Sequence, residues 1–153
     1  DQIPYLGTDY DLPDLKTKYD YAHIGIGQIK DYRKRKEIYD NLFKVGFLIP
    51  KIISPHSIVS GGAFLADGTI IMHKAVVNDN VEIGTNCIIN TGSIIEHDVK
   101  IGDNCHIAPG AIILGGATIN RNSFVGSGSI IFQNVIVKEG SVIPAGKIVK
   151  KDE

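Results

Sequence analysis

From Ile53 to Val149 the chain places an aliphatic side chain at every sixth residue. The series runs Ile53, Val59, Leu65, Ile71, Val77, Ile83 and on through Ile95, Ile101, Ile107 and Ile113, seventeen positions without a slip. Four residues after each aliphatic the side chain is small, as at Thr69, Cys87, Ser93, Cys105 and Ala111, and only Lys147 breaks that column. Three residues after each aliphatic, Gly, Asn or Asp predominates. A period of six is too short for a helix-loop repeat and too long for simple strand alternation, so it restricts the fold severely.

The residue types give the period its physical meaning. A short strand supplies the large inward aliphatic, and the small inward residue sits where the chain turns. The corner needs a backbone that tolerates positive φ, which Gly and Asn accept most cheaply. Three units close a triangular coil of 18 residues. Stepping by 18 stacks Asn86, Asn104 and Asn122 at one corner and Gly92, Gly110, Gly128 and Gly146 at another. At a strand spacing of ~4.8 Å the coils build a prism roughly 26 Å long. The expected architecture is mainly β, a parallel β-helix of hexapeptide repeats over residues 53–153.

Residues 1–52 follow another grammar. "PDLKTKY" is a short helix candidate. "YAHIGIG", from Tyr21 to Gly27, is an apolar run of strand length. "DYRKRKEIYDNLFKVG" predicts a helix with Ile38, Tyr39, Leu42 and Phe43 on one face and Gly46 as its C-terminal cap. "FLIPKIIS" is a second short strand, so the order predicts a βαβ unit with a parallel sheet.

Bulk properties exclude several function classes. With 16 basic and 17 acidic residues and a net charge of −1, nothing attracts nucleic acid or an anionic membrane. No apolar run approaches the ~18 residues of a membrane span, and the opening "DQIPYLGTDYDLPDL" lacks the layout of a signal peptide. A cytoplasmic protein is expected. Cys87 and Cys105 lie one coil apart in the small inward column, so free thiols in a packed core are expected rather than a disulfide or a metal site.

Four histidines fall in the repeats: His56, His73, His97 and His106. His73 and His97 each precede a corner residue, where side chains face out. His97 alone has an acid on both sides, Glu96 and Asp98. A neighbouring carboxylate fixes an imidazole's tautomer and raises its basicity, which suits a general base near neutral pH. His97 and His106 are half a coil apart, a corner against the opposite face, so one subunit cannot join them around a metal. No metal is expected.

At these residues a resemblance becomes specific. "NTGSIIEHDVKIGDNCHIAPGAIILGG" is similar to the core of the NeuD/PglD group of bacterial sugar acetyltransferases. "YAHIGIGQ…RKRKEIYDNLFKVGF…PKIISPHSIVS" resembles the second half of their small nucleotide-fold N-terminal domain. The resemblance implies a left-handed β-helix at 53–153 behind a partial, Rossmann-like, sugar-nucleotide-binding domain at 1–52. It implies a homotrimer with sites between subunits, and acetyl-CoA as co-substrate. His97 is then the general base, with Asp98 tuning it. His106 meets the thioester end of acetyl-CoA, and Gly115, one coil after His97, offers its N–H to the thioester oxygen. Ser127 and Ala145, stacked above Pro109, line the pantetheine arm, and Arg35 contacts the sugar nucleotide. The family's first strand, glycine loop and following acidic residue would precede Asp1. The ending "VIPAGKIVKKDE" also departs from the family's Gly-x-Pro-Ala-Lys.

The resulting expectation is transfer of an acetyl group to the amino group of a nucleotide-linked amino sugar in bacterial surface-glycan biosynthesis. O-acetylation of a sialic-acid-like sugar uses the same base and groove and stays open. A metal-dependent β-helix enzyme and a non-catalytic scaffold are the alternatives of other classes.

Overall fold

The computed structural model describes residues 3–153. Seventeen two-residue strands, from Ile52–Ile53 to Ile148–Val149, form three parallel sheets whose members recur every third strand. Sheet 1 contains Ile52–Ile53, Ile70–Ile71, Ile88–Ile89, His106–Ile107, Phe124–Val125 and Val142–Ile143. Sheet 2 runs from Ile58–Val59 to Ile148–Val149, and sheet 3 from Phe64–Leu65 to Ile136–Val137. Every pairing steps by 18, as His106↔Phe124 and Ile112↔Ile130 do. The prism anticipated from the period of six is the observed fold.

The second residue of each strand points inward. Ile89, Ile95, Ile107, Ile113, Ile119 and Ile131 are fully buried, and each contributes roughly 1.5–3 kcal/mol of transfer free energy. From Thr69 to Val135 the small inward column is closed to solvent too, and its hydroxyls are satisfied. Thr69 Oγ1 donates to the Gly84 carbonyl at 2.7 Å and Ser123 Oγ to the Lys138 carbonyl at 3.0 Å. Cys87 and Cys105 are buried free thiols of this column. Burial drives the Cys87 thiol strongly upward in pKa, so it is unreactive at neutral pH.

Corner residues adopt the left-handed conformation. Asn86, Asn104 and Asn122 have φ of 56°, 55° and 64°. Their side chains form a ladder along the prism, Asn86 Nδ2 donating to Asn104 Oδ1 at 2.9 Å and Asn104 Nδ2 to Asn122 Oδ1 at 3.2 Å.

The N-terminal region contributes a short helix α1 (Leu12–Lys16) and a longer α2 (Arg33–Val45), which ends in Gly46 at φ 98°. The expected βαβ unit is reduced to one parallel bridge, Tyr21↔Leu48. Ala22 N–H donates to the Leu48 carbonyl and Leu48 N–H to the Asp20 carbonyl, at 3.0 and 2.9 Å. Pairing stops there because Pro50 has no N–H, and Ile52–Ile53 already pairs with Ile70–Ile71 of the prism. Ile24, Leu42, Phe47 and Ile49 make a small second core with Ile38 and Tyr39 beside it. Phe43 is 71% exposed, against expectation; it sits about 100° round the helix from Leu42. Arg35 takes the buried position one turn ahead of Ile38 and Tyr39. α2 meets the prism at Gly68, where a Cβ would lie 2.6 Å from the Tyr39 ring.

Candidate functional site

The corner between sheets 2 and 3 carries Asp79, His97, Gly115 and Gln133 in one column, each followed by a left-handed residue: Asn80, Asp98, Gly116 and Asn134. A tight corner aims consecutive side chains out of the same edge, which is why two neighbours in sequence can meet. His97 Nδ1–H donates to Asp98 Oδ2 at 2.7 Å. Asp98 Oδ1 in turn accepts from Asn80 Nδ2, one coil below, at 2.6 Å. Glu96 accepts from Asn78 Nδ2 at 2.9 Å.

With Nδ1 committed to Asp98, Nε2 is the nitrogen free to accept a proton. It lies over Gly115: a Cβ there would approach His97 Cε1 to 2.8 Å and Nε2 to 2.9 Å. Only glycine leaves room for the ring. The Gly115 N–H has no backbone acceptor among the described residues, so it can serve a ligand. The hydrogen bond to Asp98, with the charges of Asp98 and Glu96, raises the His97 pKa. Asn80 and then His97 hold the Asp98 carboxyl below its ordinary value. These residues edge an open depression of about 540 Å³ that also includes Leu114, Gln133 and Asn134.

His106 sits elsewhere, on sheet 1. It is 7% exposed and covered by the Tyr21–Gln28 segment. Its Nδ1–H donates to the Gln28 carbonyl, and Nε2 accepts from Asn90 Nδ2 at 3.0 Å. The Phe124 ring stands edge-on to it, 5.2 Å between centroids. Burial lowers its pKa, as does the Arg35 charge, against the Gln28 bond. His106 borders an apolar cavity of about 380 Å³ with His23, Ile24, Ile26, Met72 and Asn90.

Arg35 is only 1% exposed. Its Nη1 donates to the Ile24 and Ile26 carbonyls at 3.0 and 2.6 Å, while Nε and Nη2 have no hydrogen-bond partner among the described residues. The guanidinium pins the covering segment from beneath, so it is neither a solvated helix charge nor open to a substrate in this chain. Ser127 and Ala145 stack above Pro109 at the corner between sheets 1 and 2, with Gly128 N–H donating to the Pro109 carbonyl and Gly146 N–H to the Ser127 carbonyl. One chain therefore joins His97, Asp98 and Gly115, and leaves His106, Arg35, and the Ser127–Ala145 column apart from them. Among the described residues no group of three or more His, Cys, Asp or Glu is placed to hold a metal ion. Asn80, Asn90 and Gln28 escaped the sequence reading. Stepping back 18 from Asp98 finds Asn80, whereas nothing periodic marks Gln28.

The outward side chains of sheet 2 form a continuous apolar ladder: Ile58, Val76, Ile94, Ile112, Ile130 and Ile148. Those of sheet 3 are mixed, including the Glu82–Lys100 pair at 3.4 Å. His97 and Gly115 edge sheet 2 on one side; Pro109, Ser127 and Ala145 edge it on the other.

The model of the bacterial transferase hexapeptide family, described as six repeats, matches residues 86–115 and 98–133. No curated protein sequence matches the chain. Among solved structures, PerB from Caulobacter crescentus, crystallised with CoA and GDP-perosamine, is 28% identical with a TM-score of 0.92, the match covering 98% of this chain and 72% of that one. The acetyltransferase domain of PglB from Neisseria gonorrhoeae FA1090 is 31% identical over 81% of this chain and 60% of that one, with a TM-score of 0.79. Its complex with acetyl coenzyme A is 29% identical with a TM-score of 0.88, covering 95% and 72% of the two chains. The fold and the family match define a hexapeptide-repeat β-helix protein. Over nearly its whole length, N-terminal unit included, the chain resembles these sugar acetyltransferases of the NeuD/PglD type.

Proposed function

We propose that this chain catalyses acetyl transfer from acetyl-CoA to the amino group of a nucleotide-linked amino sugar, in bacterial surface-glycan biosynthesis in the cytoplasm. The observation that carries the reading is the His97–Asp98 pair held over Gly115. Acyl transfer to an amine needs a base for the acceptor's proton and a donor for the oxygen that gains charge. His97 Nε2 takes the proton from the attacking nitrogen, and the resulting imidazolium is stabilised by Asp98. The Gly115 N–H, without a backbone acceptor among the described residues, is the donor for the acyl oxygen in this reading. Acetyl-CoA supplies the acyl group as a thioester; the new N–C bond replaces the C–S bond, and the proton held on His97 returns to the leaving thiolate. Neither cysteine takes part, since both are sealed in the core.

The working unit in this reading is a homotrimer. The sheet 2 ladder is an apolar face that water should not cover. Three copies turning that face toward a common axis bring the His97–Gly115 corner of each against the other sheet 2 corner of its neighbour. The Pro109, Ser127 and Ala145 column then lines the pantetheine arm, with His106 just behind. Residues 1–52 form the remaining part of the acceptor site, and 53–153 the acyltransferase unit. Arg35 acts there through the segment it pins rather than by touching the sugar. Transfer to nitrogen is favoured over oxygen by the solved neighbours, one of them a perosamine N-acetyltransferase.

The test is thiol release from acetyl-CoA with a panel of nucleotide-linked amino sugars and nonulosonic acids, and mass analysis of the product. Release with an amino sugar, lost in His97→Ala, supports the reading. Full turnover in that variant would sink it.

A further inference from the structure

The corner ladders suggest how the His97–Asp98 pair is kept in place. At the corner between sheets 3 and 1, asparagine amides donate up the column, Asn86 to Asn104 and Asn104 to Asn122, and Asn122 reaches Glu139, just before the next corner residue Gly140. That ladder fastens coil to coil and touches no histidine. At the corner between sheets 2 and 3 the same device has another acceptor. Asn80, at φ 56°, donates to Asp98 Oδ1 at 2.6 Å, and Asp98, at φ 61°, uses its other oxygen for His97.

We infer that Asn80 is a positioning residue, which fixes the Asp98 carboxylate so that His97 keeps Nδ1 engaged and Nε2 turned toward Gly115. This rests on the proposed role of His97. The physical need is plain. The His97 and Asp98 side chains are 66% and 52% exposed, and an exposed ion pair between sequence neighbours is weak and free to rotate. A second anchor on the rigid coil below removes that freedom. The coil spacing sets its reach, and the left-handed backbone at position 80 favours Asn, Asp or Gly as the anchor. Of these, only Asn offers a neutral donor. The charged groups around His97 are Glu96 and Asp98 in its own turn and Asp79 in the same column one coil below. One and two coils further along the same column are the uncharged Gly115 and Gln133.

The experiment compares Asn80→Gly, Asn80→Asp and the ladder control Asn122→Gly in the full chain. The His97 ring is titrated by NMR, and the pH dependence of kcat is read from thiol release. Asn80→Gly keeps the backbone but drops the anchor; His97 should titrate lower than in the wild type and kcat fall about tenfold with KM for acetyl-CoA unchanged. Asn80→Asp turns the donor into a like charge facing Asp98; His97 should titrate higher and the acid limb of kcat move up with it. Asn122→Gly should leave both readouts alone. Opposite shifts in the two Asn80 variants support the inference. Unchanged His97 titration in both, or an equal change in Asn122→Gly, overturns it. The titration needs no turnover, so this failure is distinct from that of the acetyltransferase reading, which rests on His97→Ala.

Discussion

The prism and the N-terminal unit solve the same packing problem by opposite means. In the prism every inward side chain meets its counterpart one coil away, and residues such as Ile95, Ile113 and Ile131 are wholly buried. Among its described residues the N-terminal unit has four buried apolar residues, one parallel bridge and a buried arginine with two unsatisfied nitrogens. It leans on the prism through Tyr39 against Gly68 and through Gln28, whose Nε2 donates to the Asn104 carbonyl at 2.6 Å. The repeated scaffold holds the proposed base rigidly; the irregular unit covers His106 and can be altered without remaking the scaffold.

The largest expected effect bears on the prism's chemistry. His97→Ala should lower turnover by about 10²- to 10⁴-fold, the usual contribution of a general base, with the thermal transition unchanged. A matching drop in stability would mean that the corner is structural. Next comes the contrast in packing. Ile107→Ala should cost about 2–5 kcal/mol in denaturant unfolding and act on the whole prism. Leu42→Ala should open only the N-terminal unit, read as faster proteolysis of the Tyr21–Gln28 segment with the β signal intact. If both variants melted the chain in one transition, the two regions would be one cooperative body.

Gly115→Ala sharpens the comparison within the corner. The backbone there accepts alanine, but the new Cβ would displace the His97 ring. Turnover should fall by up to about 10²-fold with stability retained; normal kcat would show that the ring need not lie over this position.

A smaller effect concerns pH and the joint between the two regions. His106 is neutral in the fold and its pKa lies below the ordinary 6.5. The unfolded chain therefore binds more protons on acidification. The stability tied to His106 is complete above pH 6.5 and is lost as pH falls toward the folded value. His106→Gln should flatten that part of the stability curve, and an unaltered slope would count against a buried neutral ring. The smallest effect is that of His73→Ala. This exposed ring bonds Ser54 Oγ at 2.6 Å on the other sheet 2 corner, two coils before Pro109, and its removal should leave turnover within about twofold.

Much of the His97 corner was legible in the sequence because the repeat is its own ruler. A period of six names the inward residues and a period of 18 names the vertical neighbours, so Gly115 over His97 and the two cysteines in the core follow from counting. Phe43 failed the same kind of reading because α2 has a single short buried stripe and Arg35, not an aliphatic, opens it.

The sequence by itself determined the prism, its corners, the adjacency of His97 and Asp98, and the separation of His97 from His106. Each depends on contacts that recur at a fixed step, so local pattern and tertiary position coincide. Only the tertiary structure decided that Arg35 is buried beneath the Ile24 and Ile26 carbonyls, that Gln28 caps His106 from 78 residues away, and that Asn80 spends its amide on Asp98. The first lies wholly within the aperiodic N-terminal unit, and the second joins that unit to the periodic prism. The third has the right spacing but turns on where a side chain points, which no spacing records.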